Sequence, residues 1–555
     1  MYRSREKELK IKDLGEAKRR QVNQIHPRVK INRDVSKAMK QLPDAQGFAM
    51  NMTPPREDKK ARIACDTYFG AELVSKITSK LHRSTINYDA LIDDLFEYDR
   101  EHVPRGRMSD ESKVIYKMVL ESIKDDLGKP NLTPMTFEEV RSLPDFPGAK
   151  SPGLPYKNQG FRTKSEVFDD PLKLKNLKST WSDVGLGKHV VLPDVCLFAR
   201  AQIARYPEKK IRATWGYSFD VYMEEARFFY PIQEFIKKHE HNFPIAYGLE
   251  MAKGGMSSIN DMLTRNRGCK YVISDWSKFD KTVPLWLIRD AFQLLNGLIC
   301  PEVMGAHSKR RWKKIVDYFC ETPIRTCKGE RFMVIGGVPS GSCFTNIIDS
   351  IINCIVTRFL SYQTTSEFPL GEIFLGDDGV FVMKNLVCLE DFASVALLYF
   401  GMVLNLDKSY VTTNKQNVQF LGYFNLDGVP FKNLDYLIAS FVFPEHRRTK
   451  LIDTSAAALV QMYSGFDPGY ASVWLKIIHL LAEFENTDPF SLQEIVLRLR
   501  SQEYRHKYLA HVGVKVENMT VPSLHSSFIH EVLHHPNCPI KLENRNYNYK
   551  DLCNR

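Results

Sequence analysis

Cysteine pairs spaced two residues apart are missing from this 555-residue chain, and its 11 cysteines, scattered from Cys65 to Cys553, form no even framework. That excludes a small disulfide-stapled fold and points to reduced thiols and an intracellular setting. Long apolar runs are missing too. Ala396 to Leu404 is the nearest to one and falls far short of the ~20 residues a membrane helix needs, so no membrane partner is expected. No apolar region follows Met1-Tyr2-Arg3-Ser4-Arg5, so no secretory signal is expected. Internal repeats and low-complexity tracts are absent. So is a true Walker phosphate loop: in Gly185-Leu186-Gly187-Lys188-His189, Ser182 stands where the first glycine belongs and His189 where Ser or Thr belongs. Nor does one charge sign dominate. The balance of 77 basic and 66 acidic residues, a net +11, permits a nucleic-acid partner without requiring one.

The length suggests about three or four lobes. Residues 1 to 40 hold 13 Lys or Arg against 5 Asp or Glu, which reads first as a solvated helix and linker and second as a nucleic-acid-binding arm. Helical periodicity marks Ala71–Leu81, Val114–Leu127, 221–240, Trp286–Leu298, Ile347–Leu360, Leu389–Leu404, Ser455–Tyr463 and Tyr470–Glu485. Between 128 and 170 prolines break the pattern. Ser151-Pro152-Gly153-Leu154-Pro155 followed by Lys164 reads equally well as a phosphate-backbone guide or a surface loop. Arg200, Arg205, Lys209, Lys210 and Arg212 put five cations into thirteen residues of strand character. Alternation sets Lys210 and Arg212 on one side, where they can meet a triphosphate; an exposed basic strand is the plainer reading. A further basic patch runs from Lys309 to Lys314.

Gly376-Asp377-Asp378 lies between the strand-like runs Glu372–Leu375 and Gly379–Met383, a hairpin with two adjacent carboxylates at its turn. Alone it reads as a turn. Asp275, at the end of the strand Tyr271–Ser274, and Asp280 just beyond it change that. If the strands are neighbours, Asp275, Asp377 and Asp378 converge at one sheet edge. Such a cluster suits two hard cations, Mg²⁺ or Mn²⁺, and in-line phosphoryl displacement. Gly336-Gly337-Val338-Pro339-Ser340-Gly341-Ser342 opens a long apolar helix and offers close backbone approach, free amides and hydroxyls.

The order of these blocks resembles the palm of viral RNA-dependent RNA polymerases, most finely those of partitiviruses, with picobirnaviruses second. The carriers are Asp275-x-Ser277-x-Phe279-Asp280 with Val283-Pro284, Gly337–Ser342 with Phe344-Thr345-Asn346, Ser151–Pro155 with Thr163-Lys164, Gly376-Asp377-Asp378, Lys408 in a turn and the strand Phe420–Phe424. The resemblance covers roughly residues 150 to 425. It implies an α+β right hand, with a small antiparallel palm sheet and mostly helical fingers and thumb. The divisions would be 1–60 basic segment and linker, 61–270 fingers, 271–284 palm, 285–335 fingers insertion, 336–425 palm and 426–555 thumb.

It also implies roles. Asp275, Asp377, Asp378 and the Trp276 carbonyl would hold the two ions, and Lys408 would protonate the leaving pyrophosphate. Lys210 and Arg212 would grip the triphosphate. Asp280, Ser340, Thr345 and Asn346 would read the ribose. Many plus-strand virus polymerases carry Asn where Asp349 stands here, so the hydroxyl network has two candidates, Asn346 and Asp349. Ser151, Pro152, Gly153, Lys164 and Gly341 would meet RNA, and Phe420 and Gly422 would form the primer grip. Implied partners are RNA template and product, rNTPs and a viral capsid protein, within a particle and the host cytoplasm. Two other readings compete. A reverse transcriptase usually sets a bulky aromatic where Asp280 stands, and a non-catalytic palm-fold RNA binder has no use for three converging carboxylates. His525, His530, His534, His535 and Cys538 could hold zinc, but no Cys pair accompanies them, and a polar helix surface is the first reading.

Overall fold

A five-residue strand of unbroken β character, Lys-Tyr-Val-Ile-Ser, lies at the centre of the sheet that matters most. The computed structural model describes residues 38–483, apart from 53–55, 145, 250–254, 449–453, 455–456, 459–460 and 463–467. Most of the basic N-terminal segment, much of 426–555 and the His525–Cys538 cluster therefore lie outside the described residues. The architecture is α+β. The strands that set up the site are β1 (Met39–Leu42), β2 (Val195–Ala201), β3 (Ile211–Gly216), β4 (Lys270–Ser274), β5 (Glu321–Arg325), β6 (Arg331–Ile335), β7 (Gly371–Leu375), β8 (Asp378–Met383) and β9 (Tyr410–Thr412). The helices are α1 (Asp110–Leu127), α2 (Phe219–Lys237), α3 (Gly255–Arg265), α4 (Leu285–Asn296), α5 (Ala306–Cys320), α6 (Thr345–Thr365) and α7 (Leu389–Phe400).

β7, β8, β4 and β9 form an antiparallel sheet in that order. Both its faces are covered, which is why its strands lack polar alternation. Val272, Phe374 and Phe381 face the main core with Ile347, Ile348 and Ile351 of α6. Tyr271, Ile273, Val380 and Val382 face a second cluster with Ile259 and Leu263 of α3. Each such side chain, fully buried, contributes about 1.5–3 kcal/mol. A second sheet runs β1-β6-β5-β2-β3, antiparallel except between β2 and β5.

α6 is buried for most of its 21 residues. A helix apolar all round belongs inside a protein. Its exception is a polar stripe at helical spacing: Asn346, Asp349, Ser350, Asn353 and Thr357. At its far end Arg358 ties α1 and β7 together, 2.6 Å from Asp126 and 2.8 Å from Glu372.

Two expectations need correction. The helix expected over Leu389–Leu404 stops at Phe400, where Gly401 caps it. Val403–Leu404 then pairs as a strand with Trp276–Ser277. The strand expected over Phe420–Phe424 is a hairpin, Gln419–Phe420 against Tyr423–Leu426, turning at Leu421-Gly422, both with positive φ. The basic patch at 309–314 is partly exposed, at Lys309, Arg310 and Lys313. It lies on α5, where Arg311 pairs with the buried Glu224, Arg310 and Lys314 donate to the carbonyls of Gly185 and Val190, and Lys313 pairs with Asp317. No described helix is long and apolar enough to cross a membrane.

Candidate active site

β7 and β8 close on each other through two residues: Leu375 faces Asp378, and Gly376-Asp377 make the turn. Gly376 has φ +63°, a conformation that costs an L side chain energy. The polar stripe of α6 holds this turn. The Gly376 N–H donates to Ser350 Oγ at 2.8 Å. Asn353 Nδ2 donates to the Gly376 and Asp377 carbonyls at 3.1 and 3.0 Å, while its Oδ1 accepts from Trp276 Nε1 at 3.1 Å. One buried side chain therefore fixes both the turn and the residue after Asp275.

The pairing of β8 with β4 ends at Gly379 opposite Ser274, so one further step of register brings Asp378 across from Asp275. Asp275 is fastened on its other side. Its N–H donates to Ser409 Oγ at 2.9 Å, and its carbonyl accepts from the Asn405 N–H at 2.8 Å. That turn, 405–409, carries Lys408.

The electrostatics follow from this crowding. Asp377 and Asp378 are exposed at the turn, although the protein around them desolvates their carboxyls. Burial, then the Asp377 and Asp275 charges, push the Asp378 carboxyl up to about 7, with Arg212 opposing. Asp377 is raised by burial and by Asp280 and Asp275, again against Arg212. Asp349 is raised well above the usual carboxylate range by burial, Asp280 and Asp377. Lys210 is lowered by burial and by Arg212 and Lys408, with Asp275 opposing. Five aspartates and three cations thus share one field.

Among the described residues, no three His, Cys, Asp or Glu side chains are set to grip one ion together. The donor chemistry still fits a hard divalent cation. The donors are all oxygens, the Asp377 and Asp275 charges raise the Asp378 carboxyl, and the buried Asn346 Oδ1 and Asp349 Oδ1 have no hydrogen-bond partner.

The other expected residues divide between open and committed groups. Ser151 is exposed, whereas Pro152 and Gly153 are packed down, the Pro152 carbonyl accepting from the Phe219 N–H at 2.7 Å. Lys164 is buried. Its ammonium donates to the Ser151 carbonyl at 2.6 Å and lies 5.0 Å from the Tyr222 ring centroid. It holds the loop from behind and does not face solvent. Thr345 spends its hydroxyl on the Pro339 carbonyl at 2.6 Å. Gly341 is exposed and lies so close to β3 that an added Cβ would run into the Trp215 carbonyl; the Trp215 N–H donates to the Ser340 carbonyl at 3.1 Å. Phe420 is buried beneath the sheet, and Gly422 is exposed at the hairpin tip. Arg200, opposite Arg212 in the β2–β3 register, pairs with Glu445.

Sequence reasoning passed over Ser350, Asn353 and Glu225. The first two announce themselves as polar residues at helical spacing in an apolar run. Glu225, wholly buried in α2, accepts from Ser342 Oγ at 2.8 Å and the Cys343 N–H at 2.9 Å. Burial pushes its carboxyl up to about 7. Only the fold reveals it.

Comparison with known proteins gives concordant matches. The family model described as viral RNA-dependent RNA polymerase matches residues 68–426. The RNA-directed RNA polymerase of Cryptosporidium parvum virus 1 (strain KSU-1) is 26% identical over 395 residues, covering 67% of this chain and 72% of that protein. The RNA-directed RNA polymerase of Atkinsonella hypoxylon virus (isolate 2H) is 24% identical over 303 residues, 46% of this chain and 45% of its own length. That of White clover cryptic virus 1 (isolate Boccardo/2004) is 23% identical over 293 residues, 48% and 47% respectively.

Proposed function

The chain belongs to the viral RNA-dependent RNA polymerases, and from that premise we propose that its nucleotidyl transfer takes place where Asp275 faces the Gly376–Asp378 turn. The family acts on an RNA template with nucleoside triphosphates. The observation that carries the location is the β8–β4 register, which sets Asp378 across from Asp275 with Asp377 in the adjoining turn.

Asp275, Asp377, Asp378 and the Trp276 carbonyl are the groups that would hold two Mg²⁺ or Mn²⁺ ions. Such ions, when bound, lower the pKa of an attacking 3′-hydroxyl and stabilise the charge that grows on pyrophosphate. The chain's own residues do the rest. Asn353 and Ser350 keep the carboxylate turn in one conformation. Arg212 and Lys210 meet the triphosphate as fixed positive charges. Lys408, on the turn fastened to Asp275, delivers a proton to the departing pyrophosphate. Asp280 accepts from the ribose 2′-hydroxyl, which favours rNTPs over dNTPs. Ser340, Asn346 and Asp349 line the same side, and Thr345 fixes the loop carrying Ser340. Lys164 positions Ser151, Pro152 and Gly153 for the template strand, and Gly341 lets RNA approach closely.

The family's right hand divides here into fingers from 61 to 270 with an insertion at 285–335, a palm from 271 to 284 and 336 to 425, and a thumb beyond. Partitivirus-like motifs support transcription and replication of a double-stranded RNA genome within a capsid in the host cytoplasm. The test is incorporation of labelled rNTPs on an RNA template with Mg²⁺ or Mn²⁺. Asp377→Ala should lower product at least about a hundredfold while RNA binding persists. Equal activity of the variant and the wild type refutes the assignment.

A further inference from the structure

Asp280 is held from behind by a residue remote from every motif above. Tyr98 ends the short turn Phe96–Tyr98 and is 1% exposed. Its hydroxyl hydrogen has two acceptors in reach, Asp280 Oδ2 at 2.8 Å and the Val338 carbonyl at 3.1 Å. The nearer, charged acceptor is the stronger. The ring is fixed as well. It packs edge-on against Trp215 of β3, 5.3 Å between centroids, and the Lys281 ammonium lies 5.7 Å from its centre. Lys281 in turn pairs with Asp94, whose other oxygen accepts from the Ala213 N–H at 2.7 Å. Asp94 and Tyr98 therefore clasp three elements: β3 with Arg212, the turn with Asp280, and the loop that begins at Gly336. Asp280 is half-buried, and its Oδ1 has no hydrogen-bond partner among the described residues.

We propose that Tyr98 is a positioning residue for ribose selection, its hydroxyl anchoring Asp280 Oδ2 so that Oδ1 is presented to the 2′-hydroxyl of the incoming nucleotide. The inference rests on the reading of Asp280 as the ribose group. A carboxylate turns easily about its last torsion. Asp349, also on this side, supplies no such anchor, its buried Oδ1 having no hydrogen-bond partner. Without the phenol the acceptor loses its direction. Only a substrate that owns a 2′-hydroxyl feels that loss.

Tyr98→Phe keeps the ring and removes the bond. Single-nucleotide incorporation of a templated rNTP and its 2′-deoxy counterpart is measured in one preparation, so that the folded fraction cancels in the ratio. KM for the rNTP should rise about fivefold to tenfold, with kcat/KM for the dNTP within about twofold of wild type. Asp280→Ala sets the full effect, and the double variant should discriminate no less than Asp280→Ala alone. If Asp280→Ala abolishes discrimination and Tyr98→Phe leaves it intact, the Tyr98 inference is overturned and the ribose reading stands. If neither variant changes discrimination, both fall. Equal losses on rNTP and dNTP reduce Tyr98 to a structural residue and overturn the proposal.

Discussion

Replacing Glu225 with glutamine separates the charge of this buried group from its shape. Its carboxyl rises from an ordinary 4.5 to about 7 because burial penalises the anion more than the Cys343 and Ser342 donors reward it. The folded protein therefore keeps a proton that the unfolded chain releases first. Stability from this group is fully present below pH 4.5 and is lost as pH rises to about 7, after which it is level. At about 1.36 kcal/mol per whole step in pKa, the loss across that window is about 3 kcal/mol. Glutamine carries no charge at any pH. Its Oε1 can accept the Cys343 N–H, and its Nε2 can donate to Ser342 Oγ, so both anchors of the loop survive. Glu225→Gln should match wild type within about 1 kcal/mol near pH 5 and exceed it by up to about 3 kcal/mol at pH 8. Chains of this size with several cores are seldom two-state, so the readout is the thermal-midpoint difference between variant and wild type at each pH from 5 to 8.5. Other titrating groups cancel in that difference. A difference that stays constant across the range refutes the reasoning. Glu225→Ala, which removes both acceptors, should be less stable at every pH and slower in rNTP incorporation.

Asn353→Ala should leave RNA affinity within about twofold but cut the maximal incorporation rate about tenfold or more, measured by titrating template and then saturating with rNTPs, because the turn carrying Asp377 loses its support. Gly341→Ala meets the Trp215 carbonyl, a backbone atom that cannot step aside, and should cost about 1–3 kcal/mol, visible as a lowered thermal midpoint.

The centre of the site was legible because its chemistry is carried by residue types in strand and turn contexts. Gly376-Asp377-Asp378 reads as a hairpin turn, which the structure makes at Gly376-Asp377 with Asp378 opening β8, and Asp275 reads as the end of a strand. Their adjacency was an inference that the register supplies. What stayed hidden depends on contacts between segments far apart in sequence. Glu225 reads as one more polar residue in a helix until Ser342 and Cys343 arrive more than a hundred positions later. Lys164 reads as a solvent-facing cation until the fold buries it against the Ser151 carbonyl. Two boundaries went astray locally: periodicity ran on past Gly401, and the reversal at Leu421-Gly422 hides inside a run of apolar and aromatic residues.

The site concentrates like charge where a sheet can least tolerate it, and the surroundings explain how the fold survives. Asp275 and Asp378 stand one step beyond the last β4–β8 pair, Ser274 with Gly379, so their repulsion acts at the edge of that ladder and not within it. Behind them β4 and β8 are buried on both faces. The carboxylates are held through their backbones, by Asn353, Ser350, Ser409 and the Asn405 amide, which leaves side-chain oxygens of Asp275 and Asp378 uncommitted. A salt bridge at each aspartate would have been the cheaper way to stabilise the fold. It would also have lowered their affinity for a cation. Fixed backbones with side-chain oxygens left open are what a cation-binding site requires, and among the described residues Arg212 alone opposes the charge of Asp377 and Asp378 from within the chain.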